Sequence, residues 1–111
     1  TCKAQSGYQC EADSQHQSFW GDEGHPFMEG HHLVPMSVQK NFQSINLDCL
    51  ENLVSLCPNC HRAIHFGHAA VRREIASKLY AGRARGLLAI GLDRQALKEI
   101  AWLFYACEID L

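Results

Sequence analysis

The 111-residue chain lacks any apolar run fit to cross a bilayer. Its longest, residues 87–92 and residues 100–107, fall far short of the ~20 residues that a spanning helix needs. It has no charged start followed by an apolar stretch and a small-residue cleavage site, so no secretory signal is visible and a cytoplasmic setting, away from membranes, is expected. It has no internal repeat, no low-complexity tract and no linker rich in Pro, Gly or Ser, which points to a single domain over 1–111. It opens on Thr1 rather than Met, as expected of a domain cut from a longer protein. It also lacks an excess of positive charge. Ten Lys+Arg against twelve Asp+Glu leave a formal charge of −2, which at first sight argues against a phosphate-rich partner. With 47% apolar residues, a disordered tail and a collagen-like repeat are excluded.

What the chain does have is six Cys and seven His. In a short secreted protein six Cys would form a disulfide framework. Here Cys57 and Cys60 are followed at once by His61 and His65, which is metal-ligand spacing. Without a secretory signal, a reducing compartment with zinc is the better expectation, and a structural metal adds folding free energy to a small core.

The charge is divided unevenly. Residues 1–61 carry only Lys3 and Lys40 against seven acids, whereas residues 62–98 carry Arg62, Arg72, Arg73, Lys78, Arg83, Arg85, Arg94 and Lys98 against Glu74 and Asp93. Taken alone such a segment is a solvated helix face; it gains meaning only beside a group that binds or cleaves phosphates.

The pattern of elements is loop, strand, loop, strand and three helices. Residues 1–26 are polar and punctuated by Gly, with turn signals at Gly21-Asp22 and Glu23-Gly24. Residues 27–34 form a short strand ended by Pro35, 38–50 an irregular loop, and 53–56 a second apolar strand. A helix starts near Pro58-Asn59. A second, with Val71, Ile75 and Leu79 as its apolar stripe, is weakened by Gly82 and Gly86. Asp93 caps a last helix that buries Leu97, Ile100, Ala101 and Phe104.

The chemistry lies in His31-His32, Asn52, His61 and His65. Adjacent residues on a strand point to opposite faces, so His31 and His32 serve different tasks. His61 and His65, four apart, share one helix face and suit a single ion. With one of the paired histidines they make three protein ligands, the stoichiometry of a catalytic rather than a closed structural site.

These residues resemble those of the HNH endonucleases, whose site is the ββα-metal (His-Me) finger. The matching segments are Glu29-Gly30-His31-His32-Leu33-Val34-Pro35, Glu51-Asn52-Leu53-Val54-Ser55-Leu56 and Cys57-Pro58-Asn59-Cys60-His61-Arg62-Ala63-Ile64-His65. The spacing from Asn52 to His61 and His65 is similar to that of the colicin-type nucleases, and the Cys-bearing form is similar to the HNH domains of bacterial restriction enzymes. The resemblance implies an α+β fold: a small zinc-stabilised finger over about 8–67 with additional helices over about 68–111. It implies His31, His61 and His65 as ligands of one catalytic divalent ion (Mg, Mn, Ni or Zn), His32 as general base, and Asn52 holding the loop and orienting that base. The implied reaction is hydrolysis of DNA phosphodiesters to 5′-phosphate and 3′-hydroxyl ends.

The usual HNH form has a second Cys-x2-Cys ahead of the His-His strand. This chain departs from it, with Asp13 standing three residues after Cys10. His16 is the expected replacement, giving a structural zinc on Cys10, His16, Cys57 and Cys60, with Cys2 as the rival for the last place. Cys49 and Cys107 fit as small buried hydrophobes. His25 and His68 are expected in solvent, with His68 able to approach the catalytic ion or a phosphate. Arg62, Arg72, Arg73 and Lys78 are the candidates for a track of phosphate contacts, which position DNA without reading its sequence. The expected protein is therefore the DNA-cleaving domain of a restriction or defence enzyme, with a homodimer or an added specificity domain supplying target choice. The alternatives are a zinc module that binds DNA without cutting it, and the nuclease domain of a secreted antibacterial toxin.

Overall fold

The computed structural model describes residues Thr1–Leu111. The two expected strands, β1 (Glu29–His32) and β2 (Leu53–Leu56), form an antiparallel pair in which His31 faces Val54 and His32 faces Leu53. β1 is half as long as the span 27–34 suggests. Past His32 the chain follows a side chain instead of the ladder: the Val34 N–H donates to Asn52 Oδ1 at 2.7 Å, although the Leu33 N–H still reaches the Asn52 carbonyl at 2.9 Å. The connection between the strands is more regular than expected, with short 3-10 turns at Met36–Asn41 and Leu50–Asn52.

α2 (Pro58–Phe66) begins directly after β2. Pro58 occupies its first turn, where the missing N–H is no loss. The Cys57 Sγ caps the helix by accepting from the Cys60 N–H at 3.4 Å. The helix stops at Gly67, where an added Cβ would lie 2.6 Å from the Ala63 carbonyl oxygen, so the corner into α3 (Ala69–Ala89) requires glycine. α3 runs unbroken through its two glycines. Gly82 is open to solvent and Gly86 leaves room for Glu51, with 3.5 Å between its would-be Cβ and that of Glu51. Its buried face is also rotated from the expected stripe: Ala76, Leu79, Tyr80 and Leu87 are buried while Val71 is exposed. Tyr80 carries more apolar area than Val71, and Ala76 permits closer approach. α4 (Arg94–Tyr105) has the expected Asp93 cap, which accepts from the Ala96 N–H at 2.7 Å. It buries Leu97, Ile100, Ala101 and Tyr105, with Phe104 only half-buried.

Two features lie outside the sequence expectation for residues 1–26. A short α1 (Cys2–Gln5) packs Cys2 over Gly30 of β1. Residues 19–27 form a ribbon bridged at Trp20 and Pro26, with Phe19 and Phe27 stacked at 4.9 Å. The outer edge of β2, away from β1, is closed by Glu11 and Arg83. The Glu11 carboxylate accepts from the Ser55 N–H at 2.6 Å and from Arg83 Nε and Nη2 at 3.0 and 2.9 Å. Arg83 also donates to the carbonyls of Leu50 and Leu53. The edge strand is thereby satisfied by Glu11 from the N-terminal loop and Arg83 from α3. A single cluster of buried side chains runs from Cys10 and Met28 through Leu33, Val54 and Ile64 to Leu79, Leu97 and Cys107. No helix is long and apolar enough to cross a membrane.

Candidate active site and metal centres

β1 and α2 carry the histidines because each element sets its own periodicity. His31 points inward and is buried, whereas His32, its neighbour on the strand, is half-buried. On α2, His61 and His65 are one turn apart, with their Nε2 atoms separated by 3.3 Å. The ligand atoms of His31, His61 and His65 all lie within 4.8 Å of one another. They border a cavity of about 400 Å³ that His32, Arg72, Phe104 and Tyr105 also line. Both adjacent histidines reach this cavity because β1 ends at His32 and the chain turns over it through Pro35 and Met36.

Hydrogen bonds orient these rings. The Glu29 carboxylate lies 2.9 Å from His61 Nδ1. A carboxylate only accepts, so Nδ1 carries the proton and Nε2 keeps its lone pair toward His65. Two nitrogens 3.3 Å apart match the spacing of two imidazoles bound to one ion at about 2.0–2.1 Å. Burial, reinforced by the nearby rings of His65, His61 and His32, pushes the His31 pKa down to about 3. Burial, then His61 and Arg72, lowers that of His65. Both rings therefore stay neutral near pH 7 with lone pairs available, and an imidazole set of this kind suits a divalent transition ion.

His32 has a partner that the motif did not indicate. Asp48 Oδ1 lies 2.9 Å from His32 Nε2. Asp48 lies in the loop between the strands, and its approach to His32 depends on the fold of residues 38–50. The expected role of Asn52 divides accordingly. Its fully buried carboxamide donates to the carbonyls of Val34 and Leu47 at 2.9 Å each and accepts from the Val34 N–H. It thus holds the loop, but it makes no hydrogen bond to His32. Orientation of that ring falls to Asp48, the residue after Leu47.

The second cluster brings Cys10, His16, Cys57 and Cys60 together, again with all ligand atoms within 4.8 Å of one another. His16 Nδ1 is 3.1 Å from Cys60 Sγ, and its Nε2 is 3.4 Å from Asp13 Oδ2. Asp13, which stands where the usual pattern has Cys, braces the histidine that takes over as donor. Burial and the neighbouring Cys57 and Cys10 sulfurs raise the Cys60 thiol pKa. At Cys10 burial acts the same way, but hydrogen bonds from the backbone of Cys57, Asp13 and Ala12 prevail and lower it. Three crowded sulfurs with one imidazole, fed by backbone N–H donors, form a set that fits tetrahedral zinc. Cys2 lies apart from it, buried against Gly30.

Other expectations need correction. Arg72 turns inward, donating to the carbonyls of Ile64, at 3.1 Å, and Phe104, so its guanidinium ties α2 to α4 instead of extending along the surface. Lys78 pairs with Glu74 at 3.6 Å and borders a depression beside His16 and Cys60, separate from the histidine cavity. Arg62 and Arg73 are exposed. His25 is not in solvent: it is half-buried and stacks on Tyr8 at 3.7 Å, because the 19–27 ribbon folds back over that ring. His68 is exposed ahead of α3 and does not line the histidine cavity. Cys107 is fully buried as expected, whereas Cys49 is only half-buried.

A two-stranded antiparallel sheet followed by a helix, with histidines on the first strand and the helix around one cavity, defines a ββα-metal finger with an attached cysteine knuckle. Residues 15–67, just under half of the chain, match the family model described as HNH endonuclease. Over 71 residues the chain is 37% identical to the type IV methyl-directed restriction enzyme EcoKMcrA of Escherichia coli (strain K12). The match covers 64% of this chain and 23% of that enzyme, so the chain spans about a quarter of the relative's length.

Proposed function

We propose that this chain is the cleaving domain of a metal-dependent DNA endonuclease of restriction or defence type. The observation that carries the proposal is the convergence of His31, His61 and His65 on one cavity beside a fourth histidine, His32, held by a carboxylate. A closed structural site has no use for that fourth group, whereas phosphodiester hydrolysis needs a general base.

In this reading Cys10, His16, Cys57 and Cys60 hold a structural zinc that fixes the start of α2 against the 10–16 loop. His31, His61 and His65 hold one divalent ion, which when bound stabilises negative charge on the phosphate and on the leaving oxygen. Asp48 accepts from His32 Nε2–H, which leaves Nδ1 with the free lone pair and stabilises the imidazolium that forms. A water in line with the scissile bond gives its proton to His32 Nδ1 as its oxygen attacks phosphorus. The bond from phosphorus to the 3′-oxygen breaks, and that oxygen takes a proton from solvent. The products are a 5′-phosphate and a 3′-hydroxyl. Arg62 and Arg73 are the exposed bases proposed to hold phosphates. Target choice, including any preference for methylated DNA like that in the relative's name, is assigned to parts of the protein beyond these residues.

The test is conversion of supercoiled plasmid, methylated and unmethylated, by the wild type, His32→Ala and Asp48→Asn across Mg, Mn, Ni and Zn, with metal content measured on the same samples. Cleavage by the wild type, its loss in His32→Ala and a fall of about 10- to 100-fold in Asp48→Asn are expected. DNA binding without cutting under every ion would instead make this a binding module.

A further inference from the structure

The ring of His31 is the one in the triad whose orienting partner comes from outside the finger. Tyr105, the last residue of α4 and buried at 4% exposure, places its hydroxyl 3.0 Å from His31 Nε2 and 2.7 Å from the Leu33 carbonyl oxygen. A carbonyl oxygen can only accept, so the phenol proton is committed to Leu33. The phenol oxygen then faces His31 with lone pairs, and His31 must donate through Nε2–H. The geometry points to Tyr105 as a positioning residue that holds His31 in its Nε2–H tautomer and leaves Nδ1 as the ligand atom, so that α4 completes a metal site otherwise built from β1 and α2.

This rests on the proposed role of the histidine triad, and it extends the site 38 residues past the family match, which ends at 67. Three constraints keep the phenol in place. The Arg72 guanidinium holds the Phe104 carbonyl, α4 closes on Ala106 in a left-handed conformation (φ 51°), and the Tyr80 ring packs edge-on against Tyr105 at 6.2 Å. The three groups that orient histidine rings here are then chemically distinct: Glu29 for His61, Asp48 for His32 and a neutral phenol for buried His31. A carboxylate beside buried His31 would add an uncompensated buried charge, whereas a phenol orients the ring without one.

The experiment compares zinc-loaded wild type, Tyr105→Phe and Tyr80→Phe of the 111-residue chain. Tyr80 supplies the control because its hydroxyl is also buried but has no partner. Two readouts are taken: the His31 tautomer from long-range 1H–15N correlations without added ion, and Ni2+ affinity of the triad by calorimetry. Wild type and Tyr80→Phe should show Nε2–H. Tyr105→Phe should lose that preference and bind Ni2+ about 10- to 100-fold more weakly, with Tyr80→Phe within twofold of wild type. An Nδ1–H His31 in the wild type overturns the assignment, as does Tyr105→Phe binding Ni2+ as tightly as the wild type. Wild type whose triad takes up none of Mg, Mn, Ni and Zn defeats the proposed function instead, and the tautomer still decides the assignment to Tyr105.

Discussion

At the scale of single residues, Asn52 and His32 separate holding a site from working in it. Asn52 is fully buried and satisfies three backbone groups, two on Val34 and one on Leu47. Replacing it with Ala leaves those groups without partners, at about 1–3 kcal/mol each where water cannot enter. Asn52→Ala should therefore lose about 3 kcal/mol in urea unfolding of the zinc-loaded protein, and cleavage with it. His32 is partly exposed and hydrogen-bonds only the exposed Asp48. His32→Ala should stay within about 0.5 kcal/mol of wild type while losing cleavage as completely. If His32→Ala unfolds the protein, its role is structural. The resemblance gives His32 the base and Asn52 both the loop and the orientation of that base; the Asn52 carboxamide bonds only the loop, and it is Asp48 that bonds His32. The motif was silent on Asp48 and Tyr105 because each reaches its histidine only through tertiary packing.

At the scale of elements, the two strands, α2 and α4 were legible because their signals are local: a short apolar alternation, a proline in a first turn, an Asp cap. The rotated face of α3 was not. Val71, Ile75 and Leu79 have good helical spacing, but what decides the face is the partner, and Tyr80 and Ala76 fit that partner better. Arg83 was hidden for the same reason, counted among free cations while it closes the edge of β2 with Glu11. The pair keeps about a fifth of its side-chain surface exposed, so solvent screens part of its energy. Arg83→Met should still cost about 2 kcal/mol, because the Glu11 carboxylate and the Leu50 and Leu53 carbonyls lose their donors. Thermal unfolding of Arg83→Met and of Glu11→Gln/Arg83→Met will show whether the double variant recovers part of the loss, as it should if the stranded carboxylate is the main penalty.

At the scale of the whole molecule, the finger and the C-terminal helices share one core. Leu79, Tyr80, Leu87, Leu97 and Tyr105 belong to the same buried cluster as Leu33, Val54 and Ile64, and Arg72 and Arg83 stitch the helices to α2 and β2. Residues 1–67 alone should stay unfolded even with zinc, giving a poorly dispersed 1H–15N spectrum; good dispersion would make the helices an appendage. The same use of arginines inside the fold changes what the charge arithmetic means for DNA. The segment 62–98 carries eight basic residues, yet Arg72 and Arg83 are spent on protein carbonyls and Glu11, and Lys78 faces Glu74 beside the cysteine cluster. Arg62 and Arg73 are the members of the proposed track left exposed and without an ion-pair partner. Each neutralised phosphate contributes about −0.9 to the slope of log affinity against log salt on duplex DNA. Two such contacts predict a slope of about −2 for this chain, measured with an uncleavable duplex and no divalent ion. A slope near −5 would mean that the helical segment binds DNA along its length. A slope near −2, falling to about −1 in Arg62→Ala or Arg73→Ala, would mean that the domain grips DNA weakly, and that tight binding has to come from elsewhere in the protein or from a second copy.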